Sequence, residues 1–267
     1  MAMVGKKALV KEVGLGGSAA GSEVLSEKSS EEVTETHKIF RTLMHFPGSA
    51  FTDLWDKTIP SNKFTYHLKK MEDEGLVEKK EGKYFLTTKG KSEATTVDGC
   101  LGKNVRRPYV ALLLVPRRNG KYILYHRMKE PYYGVHGFPG AKMDYGEEIV
   151  AAAKRELKEE TGLEGEGKIV TIQNILTINN GEIFGHMTQF VVLFDEPKGE
   201  LIRESREGTY DWATKEDVIN QKNLFPDVPG VIKDVEEKNF CIKEVKVIQK
   251  DGKFVGIESR NIAKWKL

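Results

Sequence analysis

Three glutamates, Glu156, Glu159 and Glu160, fall between Arg155 and Gly162. At 3.6 residues per helical turn their side chains share one face, while an apolar period lies on another. Like charges three or four residues apart cost an isolated helix about 0.2–0.5 kcal/mol per pair, unless a cation neutralises them. Mg²⁺ prefers carboxylate oxygens and completes its shell with water and phosphate oxygens. The segment therefore indicates either a divalent-cation site or a solvated, charged surface helix.

The spacing of the neighbouring residues favours the first alternative. The pattern G-x5-E-x7-R-E-U-x-E-E-x-G-U, with U aliphatic, is matched at every fixed position except the first. The matching residues are Glu147, Arg155, Glu156, Leu157, Glu159, Glu160, Gly162 and Leu163. The segment resembles the signature of Nudix hydrolases, and Phe138-Pro139-Gly140 before it strengthens the likeness.

This resemblance implies a metal-dependent hydrolase. Glu156, Glu159 and Glu160 are the implied ligands of Mg²⁺ or Mn²⁺, with Glu147 assisting and Arg155 orienting the glutamates. The implied reaction is hydrolysis of a nucleoside diphosphate linked to another group, such as ADP-ribose. The general base is either a glutamate of the signature or a carboxylate from a distant loop, where Glu204 and Glu207 are candidates.

Ala141 stands where the signature has its first glycine. Glycine is often selected for a positive φ or a close backbone approach, and a Cβ in the left-handed region costs roughly 1–2 kcal/mol. Retained hydrolysis and a catalytically impaired site are both open, and the intact glutamates favour the former.

Four residues are candidates to contact the substrate, by position alone: Tyr132, Tyr133, Phe138 and His186. Aromatic side chains on strands are more often part of a core than of a binding site. The base and the leaving group therefore stay open.

The surrounding pattern predicts strands around one central helix. Strands are predicted at 109–115, 122–126, 170–176 and 186–194, a helix at 147–161, a helical stretch from Lys215 and a last hairpin around Asp251-Gly252. We expect an α/β fold, the α+β mixed-sheet sandwich of Nudix proteins, over residues 107–267. The resemblance covers about 107–238, so the hairpin is an addition.

A different unit is predicted before it. Three helices, near 34–46, 50–57 and 61–74, precede a small hairpin at 76–86. The stretch resembles a winged helix-turn-helix domain at 31–92, with the recognition helix starting at Ser61. Double-stranded DNA is the implied partner, and the candidate contacts are Asn62, Lys63, Thr65, Tyr66 and Lys69 on the helix with Lys80 and Lys83 on the wing.

Charge supports DNA binding only weakly. Residues 34–91 hold 11 Lys and Arg against 8 Asp and Glu, a net charge of +3, whereas residues 107–267 hold 25 of each. An excess of this size is small for a DNA-binding module, so a domain for dimerisation or protein docking is the alternative.

The remaining segments and the composition exclude several protein classes. Residues 1–30 are rich in small and polar residues and predict a flexible tail, and 93–106 predict a linker. The composition, with 39% hydrophobic residues, and the absence of a long apolar run predict a cytoplasmic protein without a membrane span. The two cysteines are isolated in the sequence, so a disulfide framework is not expected.

Two functions follow from these resemblances. One is a Mg²⁺-dependent pyrophosphohydrolase carrying a DNA-binding module. The other is a transcription regulator whose Nudix-like domain senses a nucleotide metabolite such as ADP-ribose. Both protein classes are often dimeric, so a homodimer is expected.

Overall fold

The computed structural model describes residues 34–99, 102 and 106–267. The chain divides between Arg106 and Arg107 into two compact units, which are described separately below. The tail predicted for residues 1–30 lies outside the described residues, as do Cys100 and four other residues of the predicted linker. None of the described helices is long and apolar enough to cross a membrane.

The first unit combines short helices with a three-stranded antiparallel sheet of order β1-β3-β2. Its elements are α1 (Glu35–His45), β1 (Ser49–Ala50), α2 (Phe51–Leu54), α3 (Ser61–Asp73), β2 (Val77–Lys80), β3 (Lys83–Leu86) and α4 (Thr88–Ala94).

The core of this unit follows the helical periods read from the sequence, with one exception. Phe64, Leu68 and Met71 of α3 are buried, as are Ile39 and Leu43 of α1. Phe46 continues the period of α1, but its side chain is 61% exposed because the helix has already ended at His45.

Helix α4 was not predicted from the sequence. Thr87 caps it by accepting a hydrogen bond from the backbone N–H of Gly90 at 3.0 Å. A Cβ at Gly90 would come within 2.1 Å of the Leu76 carbonyl oxygen, so glycine is required where α4 meets the hairpin. The helix ends at Ala94, inside the segment predicted as a linker.

The second unit is a mixed α/β sandwich. Its strands are β4 (Tyr109–Arg118), β5 (Lys121–Arg127), β6 (His136–Gly137), β7 (Gly140–Lys142), β8 (Gly167–Asn179), β9 (Glu182–Asp195), β10 (Gly208–Ala213), β11 (Asn239–Lys250) and β12 (Lys253–Lys266). Its helices are α5 (Ile149–Thr161), α6 (Lys215–Ile219) and α7 (Val228–Glu236). The sheet order is β10-β5-β4-β9-β8-β11-β12, with β6 and β7 pairing to β5 and β4.

Both faces of this sheet are covered, because alternate residues of β4 point to opposite sides. Leu112 and Leu114 pack in one core cluster with Leu157 of α5. Leu113 and Val115 pack in the other with Val231 of α7. Parallel pairing of β4 with β9 and of β8 with β11 makes the sheet mixed, which confirms the predicted α/β class.

The element bounds differ from the sequence prediction mainly in length. Strands β8 and β9 are longer at both ends than predicted, and the helical stretch from Lys215 ends at Ile219 before a separate α7 begins. Trp212 lies on β10. The final hairpin turns at Asp251 and Gly252, as predicted, and both residues have positive φ.

Gly162 ends α5 in the left-handed conformation, with φ of +73°. A Cβ there would meet the Glu200 carbonyl oxygen at 2.8 Å, whereas Gly146, with φ of +87°, has nothing within 4 Å. We expect Gly162→Ala to lower the free energy of unfolding by about 2–4 kcal/mol and Gly146→Ala by about 1 kcal/mol. Urea unfolding followed by circular dichroism measures both. Equal losses would show that the close approach to Glu200 adds nothing.

Candidate active site

Helix α5 and the turn before it carry the residues of the signature. The helix begins at Ile149 and its outer face bears Glu156, Glu159 and Glu160. The buried face is formed by Ala152, Ala153 and Leu157. Val150, in the first turn of the helix, is only partly buried.

Arg155 joins the glutamates of the signature into one network. Its Nε and Nη2 donate to Glu147 Oε1 and Oε2 at 2.7 and 2.8 Å, a bidentate pair. Its Nη1 donates to Glu156 Oε1 at 2.9 Å and to Glu159 Oε2 at 3.1 Å. One guanidinium therefore fixes three carboxylates from the helix and the preceding turn.

This network shifts the ionisation of both partners of the bidentate pair. The hydrogen bonds from Arg155, followed by the backbone N–H of Asp144, lower the pKa of Glu147 to about 2. The same carboxylates raise the pKa of Arg155 above its ordinary value, so the pair stays charged throughout the accessible pH range.

Glu160 lies outside this network in a different environment. Burial raises its pKa to about 7, and the negative charges of Glu207 and Glu156 act in the same direction. Tyr210 donates a hydrogen bond from its hydroxyl to Glu160 Oε2 at 3.3 Å. Lys129 acts in the opposite direction, but the pKa of Glu160 stays raised, so its carboxyl group is a partly buried acid among like charges.

Glu207 comes close to Glu160 from the loop before β10. Its carboxylate forms an ion pair with Lys129, and its backbone carbonyl accepts a hydrogen bond from the Tyr125 hydroxyl at 2.8 Å. Glu204, the other loop candidate, is exposed and pairs through its backbone with Thr209. The structure therefore brings Glu207, rather than Glu204, next to the helix.

Sequence reasoning missed two residues of this site. Lys129 carried no motif signal, because it follows β5 in an irregular loop. Tyr210 lies on β10, and only the pairing of β10 with β5 reveals that its ring stacks on Tyr125, with 5.1 Å between the ring centres.

The donor set fits a hard divalent cation. Glu156, Glu159 and Glu160 supply carboxylate oxygens at helical spacing, and Glu160 is crowded by like charges that a cation would offset. Among the residues that the structure describes, no three acidic, histidine or cysteine side chains already converge on one point. Arg155 forms ion pairs with the carboxylates of Glu147, Glu156 and Glu159.

Comparison with known proteins agrees with this geometry. Residues 105–235 match the family described as NUDIX domain. This part of the chain is therefore a Nudix domain. A curated relative, the ADP-ribose pyrophosphatase of Methanocaldococcus jannaschii, is 31% identical over 94 residues, which are 35% of this chain and 54% of that protein. The match thus spans about half the length of that relative.

Solved structures of Nudix proteins are also similar to the chain. A MutT protein from Bacillus halodurans has a TM-score of 0.48 and 22% identity, covering 57% of this chain and 97% of that one. The NUDIX domain of Shewanella oneidensis NrtR, solved with ADP ribose, has a TM-score of 0.45 and 17% identity, covering 57% and 98%.

Ala141 of the Nudix domain does not adopt the strained conformation considered from the sequence. It lies on β7, pairs with Leu112 and buries its methyl group in the core beneath α5. Its φ is not positive, so the expected cost of a left-handed Cβ does not arise.

The four predicted substrate contacts are placed differently from one another. Tyr133 is 60% exposed, and His186 bonds to Asn174 Oδ1 at 2.9 Å. Tyr132 is packed among the rings of Phe184, Phe225 and Phe254. For Phe138 the structure corrects the prediction, because this side chain is 2% exposed and packs on Tyr122 in the core.

The seven predicted DNA contacts lie on the first unit and are all exposed. They are Asn62, Lys63, Thr65, Tyr66 and Lys69 on α3, and Lys80 and Lys83 on the β2–β3 hairpin. Lys80 pairs with Glu78 at 2.7 Å, which offsets its charge. The Lys79 ammonium sits 5.2 Å from the centre of the Tyr84 ring.

The raised pKa of Glu160 makes stability depend on pH. Between the ordinary value of 4.5 and about 7, folded Glu160 keeps a proton that the unfolded chain has lost, so stability falls as pH rises. The Glu160→Gln variant cannot lose this proton. In buffer containing a chelator, we therefore expect its free energy of unfolding, relative to that of the unmodified chain, to rise by about 2–3 kcal/mol as the pH is raised from 4.5 to 8. Urea unfolding across that range measures the difference.

Glu166→Gln is the matched control, since it makes the same chemical change at a side chain that is 92% exposed. Glu160→Gln should gain more stability across this pH range than Glu166→Gln does. Equal profiles for the two variants would contradict the buried, charge-crowded environment described for Glu160.

Proposed function

We propose that this protein is a Mg²⁺-dependent pyrophosphohydrolase that cleaves a nucleoside diphosphate linked to another group. The observation that carries the proposal is the partly buried Glu160, set among Glu156 and Glu207 beside an Arg155-fixed glutamate network. Such an arrangement of like charges is costly by itself and becomes favourable once a cation and a phosphate-bearing substrate are bound.

In this proposal Glu156, Glu159 and Glu160 hold the cation. When bound, Mg²⁺ or Mn²⁺ offsets charge on the phosphate oxygens and lowers the pKa of the attacking water. Arg155 is a positioning residue, because it fixes the Glu147, Glu156 and Glu159 carboxylates through its own hydrogen bonds.

Glu207 is the better candidate for the general base. It faces Glu160 from a loop, whereas Glu204 is exposed. Lys129 forms an ion pair with the Glu207 carboxylate, which holds that side chain in position on its loop. Tyr210, bonded to Glu160, holds the neighbouring carboxylate in place.

ADP-ribose is the first substrate to test. The curated relative is named an ADP-ribose pyrophosphatase, although only about half of its length is matched. The exposed ring of Tyr133 is available to stack on a base.

Hydrolysis is tested with a panel of ADP-ribose, other nucleoside diphosphate derivatives and oxidised nucleoside triphosphates, with Mg²⁺, Mn²⁺ or chelator. We expect Glu160→Gln to lower kcat/KM by about 100-fold or more, because it removes a charge from the cation site. Glu166→Gln, with the same chemistry at an exposed residue, should keep full activity.

Absence of turnover for every compound with either metal would contradict the hydrolase. Tight binding of one compound without turnover would instead support a metabolite-sensing regulator. Calorimetric titration of the unmodified chain separates the two outcomes.

We further propose that the first unit is a winged helix-turn-helix module that binds double-stranded DNA. The specific observation is that α3 buries Phe64, Leu68 and Met71 while its opposite face is solvent-exposed, followed by a lysine-bearing hairpin. A helix with this arrangement can enter the major groove while the hairpin contacts phosphate.

DNA binding is tested by fluorescence anisotropy with a random-sequence duplex at several salt concentrations. We expect Lys63→Ala combined with Lys69→Ala to raise Kd about tenfold and to flatten the salt dependence, because two phosphate contacts are lost. Lys168→Ala on β8 is the matched control for loss of an exposed lysine. Equal binding by the double variant and the unmodified chain would contradict the assigned surface.

The alternative function of the same two units is that of a transcription regulator that senses a nucleotide metabolite. It predicts that ADP-ribose changes duplex affinity without being consumed, since a ligand can shift an equilibrium only by its differential affinity for two states.

A further inference from the structure

Tyr132 lies in the middle of a small cluster of aromatic rings in the second unit. Its ring stacks on Phe254 with 5.6 Å between the ring centres, and it meets Phe225 and Phe184 edge-on at 5.3 and 5.8 Å. Phe225 also contacts Phe254, at 5.6 Å. We call Phe184, Phe225 and Phe254 the aromatic box. None of these three rings is fully buried, so the box lies at the surface, and the ring of Tyr132 fills it.

An amide group that lacks hydrogen bonds lies beside this box. Gln249 of β11 is paired in register with Phe254 of β12, so their side chains share one face of the sheet. Gln249 is 3% exposed, and neither its Nε2 nor its Oε1 has a hydrogen-bond partner among the described residues. A buried amide left unpaired is unfavourable for folding, which indicates that it serves another purpose.

The Tyr132 hydroxyl reaches toward this amide without satisfying it. Burial raises the pKa of the hydroxyl, and the neighbouring Thr177 and Gln249 oppose that shift. Thr177 is itself 6% exposed. A planar ring with a polar group directed at Thr177 and Gln249 thus occupies the box, although the hydroxyl does not complete the hydrogen bonds of the amide.

The backbone of Tyr132 is in an unfavourable conformation. Its φ is +74°, in the left-handed region that residues with a Cβ rarely adopt. The residue lies in the loop between the end of β5 at Arg127 and the start of β6 at His136. Backbone strain of this kind is concentrated at ligand sites. The loop therefore holds the ring in the box at a cost that departure of the ring would relieve.

The same loop connects the box to the carboxylates of the candidate active site. Lys129, which forms an ion pair with Glu207, precedes Tyr132 by three residues. Their Cα atoms are therefore at most roughly 11 Å apart. A sugar and a phosphate can bridge a gap of this size between a ring bound in the box and the proposed cation site.

The chemistry of the box is that of a site for a nucleobase. Aromatic walls stack on a planar ring, and a glutamine amide offers one acceptor and a donor side by side. Such an amide can pair with two neighbouring atoms on the edge of a base, as glutamine does with adenine. A base bound here would give Gln249 the hydrogen bonds that it lacks in the protein alone.

We propose that the aromatic box binds the base of the substrate, that Gln249 recognises the edge of that base, and that Tyr132 fills the box until the base displaces it. The class of ligand rests on the proposed function. The hairpin residues Gln249 and Phe254 lie beyond the residues matched by the Nudix family, 105–235, so the added hairpin supplies part of this site.

Binding of AMP, GMP, CMP and UMP to the full chain, measured by calorimetric titration in buffer with a chelator, tests the proposal. We expect Gln249→Leu to raise the Kd of the preferred nucleotide about tenfold, because the hydrogen bonds to the base are lost. Tyr132→Ala should lower that Kd at least about threefold, because no ring has to be displaced. Tyr132→Phe is the matched control, since it keeps the ring, and its Kd should stay within about twofold of the unmodified chain.

Urea unfolding of the same variants separates a binding effect from a folding effect. Gln249→Leu removes an unpaired buried amide, so its unfolding midpoint should equal or exceed that of the unmodified chain. A lower midpoint would overturn the role given to Gln249, as would unchanged binding by this variant. Weaker binding by Tyr132→Ala would show that the ring contacts the ligand and does not merely fill its place.

Absence of binding of all four nucleotides to both the unmodified chain and Tyr132→Ala would overturn the site itself. The titrations contain no divalent cation and involve no turnover. Failure of the base site and failure of the proposed hydrolysis are therefore distinguished, because a chain that binds a nucleotide through Gln249 without hydrolysing any substrate contradicts only the hydrolase.

Discussion

The structure of the second unit depends on how the repulsion between the carboxylates on one face of α5 is offset. Arg155 fixes three of these carboxylates through a single guanidinium, with its bidentate bond to Glu147 at 2.7 and 2.8 Å. Glu160 is left outside this arrangement, where burial and its acidic neighbours raise its pKa to about 7. The charged form of such a group is unfavourable for folding, and its retention is understandable where a bound cation offsets the crowded negative charges.

The sandwich explains how this costly arrangement is held in place. Ala152, Ala153 and Leu157 anchor α5 to one face of the sheet, and the small alanines allow close approach. Helix α7 covers the other face, so the sheet is rigid from both sides. The β10–β5 pairing then delivers Tyr210 to Glu160, and the loop before β10 delivers Glu207. The site thus combines a helix, a strand and a loop that are distant in sequence.

The C-terminal hairpin extends the sheet beyond the matched Nudix residues and changes what its edge presents. Strand β11 joins β8 in parallel pairing and is itself buried on alternate residues, whereas β12 remains open with alternating charges. The added hairpin therefore extends the sheet by two strands beyond β8.

The sequence alone determined the helix with its three glutamates, the core periods of α3 and the mixed α/β class, because these depend on local spacing and on the alternation of apolar residues. It also predicted the turn at Asp251-Gly252. Only the tertiary structure decided that Phe138 is a core residue, that Ala141 lies in an ordinary strand, and that Glu207 rather than Glu204 approaches Glu160. These depend on strand register and loop course, which are set by contacts between residues far apart in the chain.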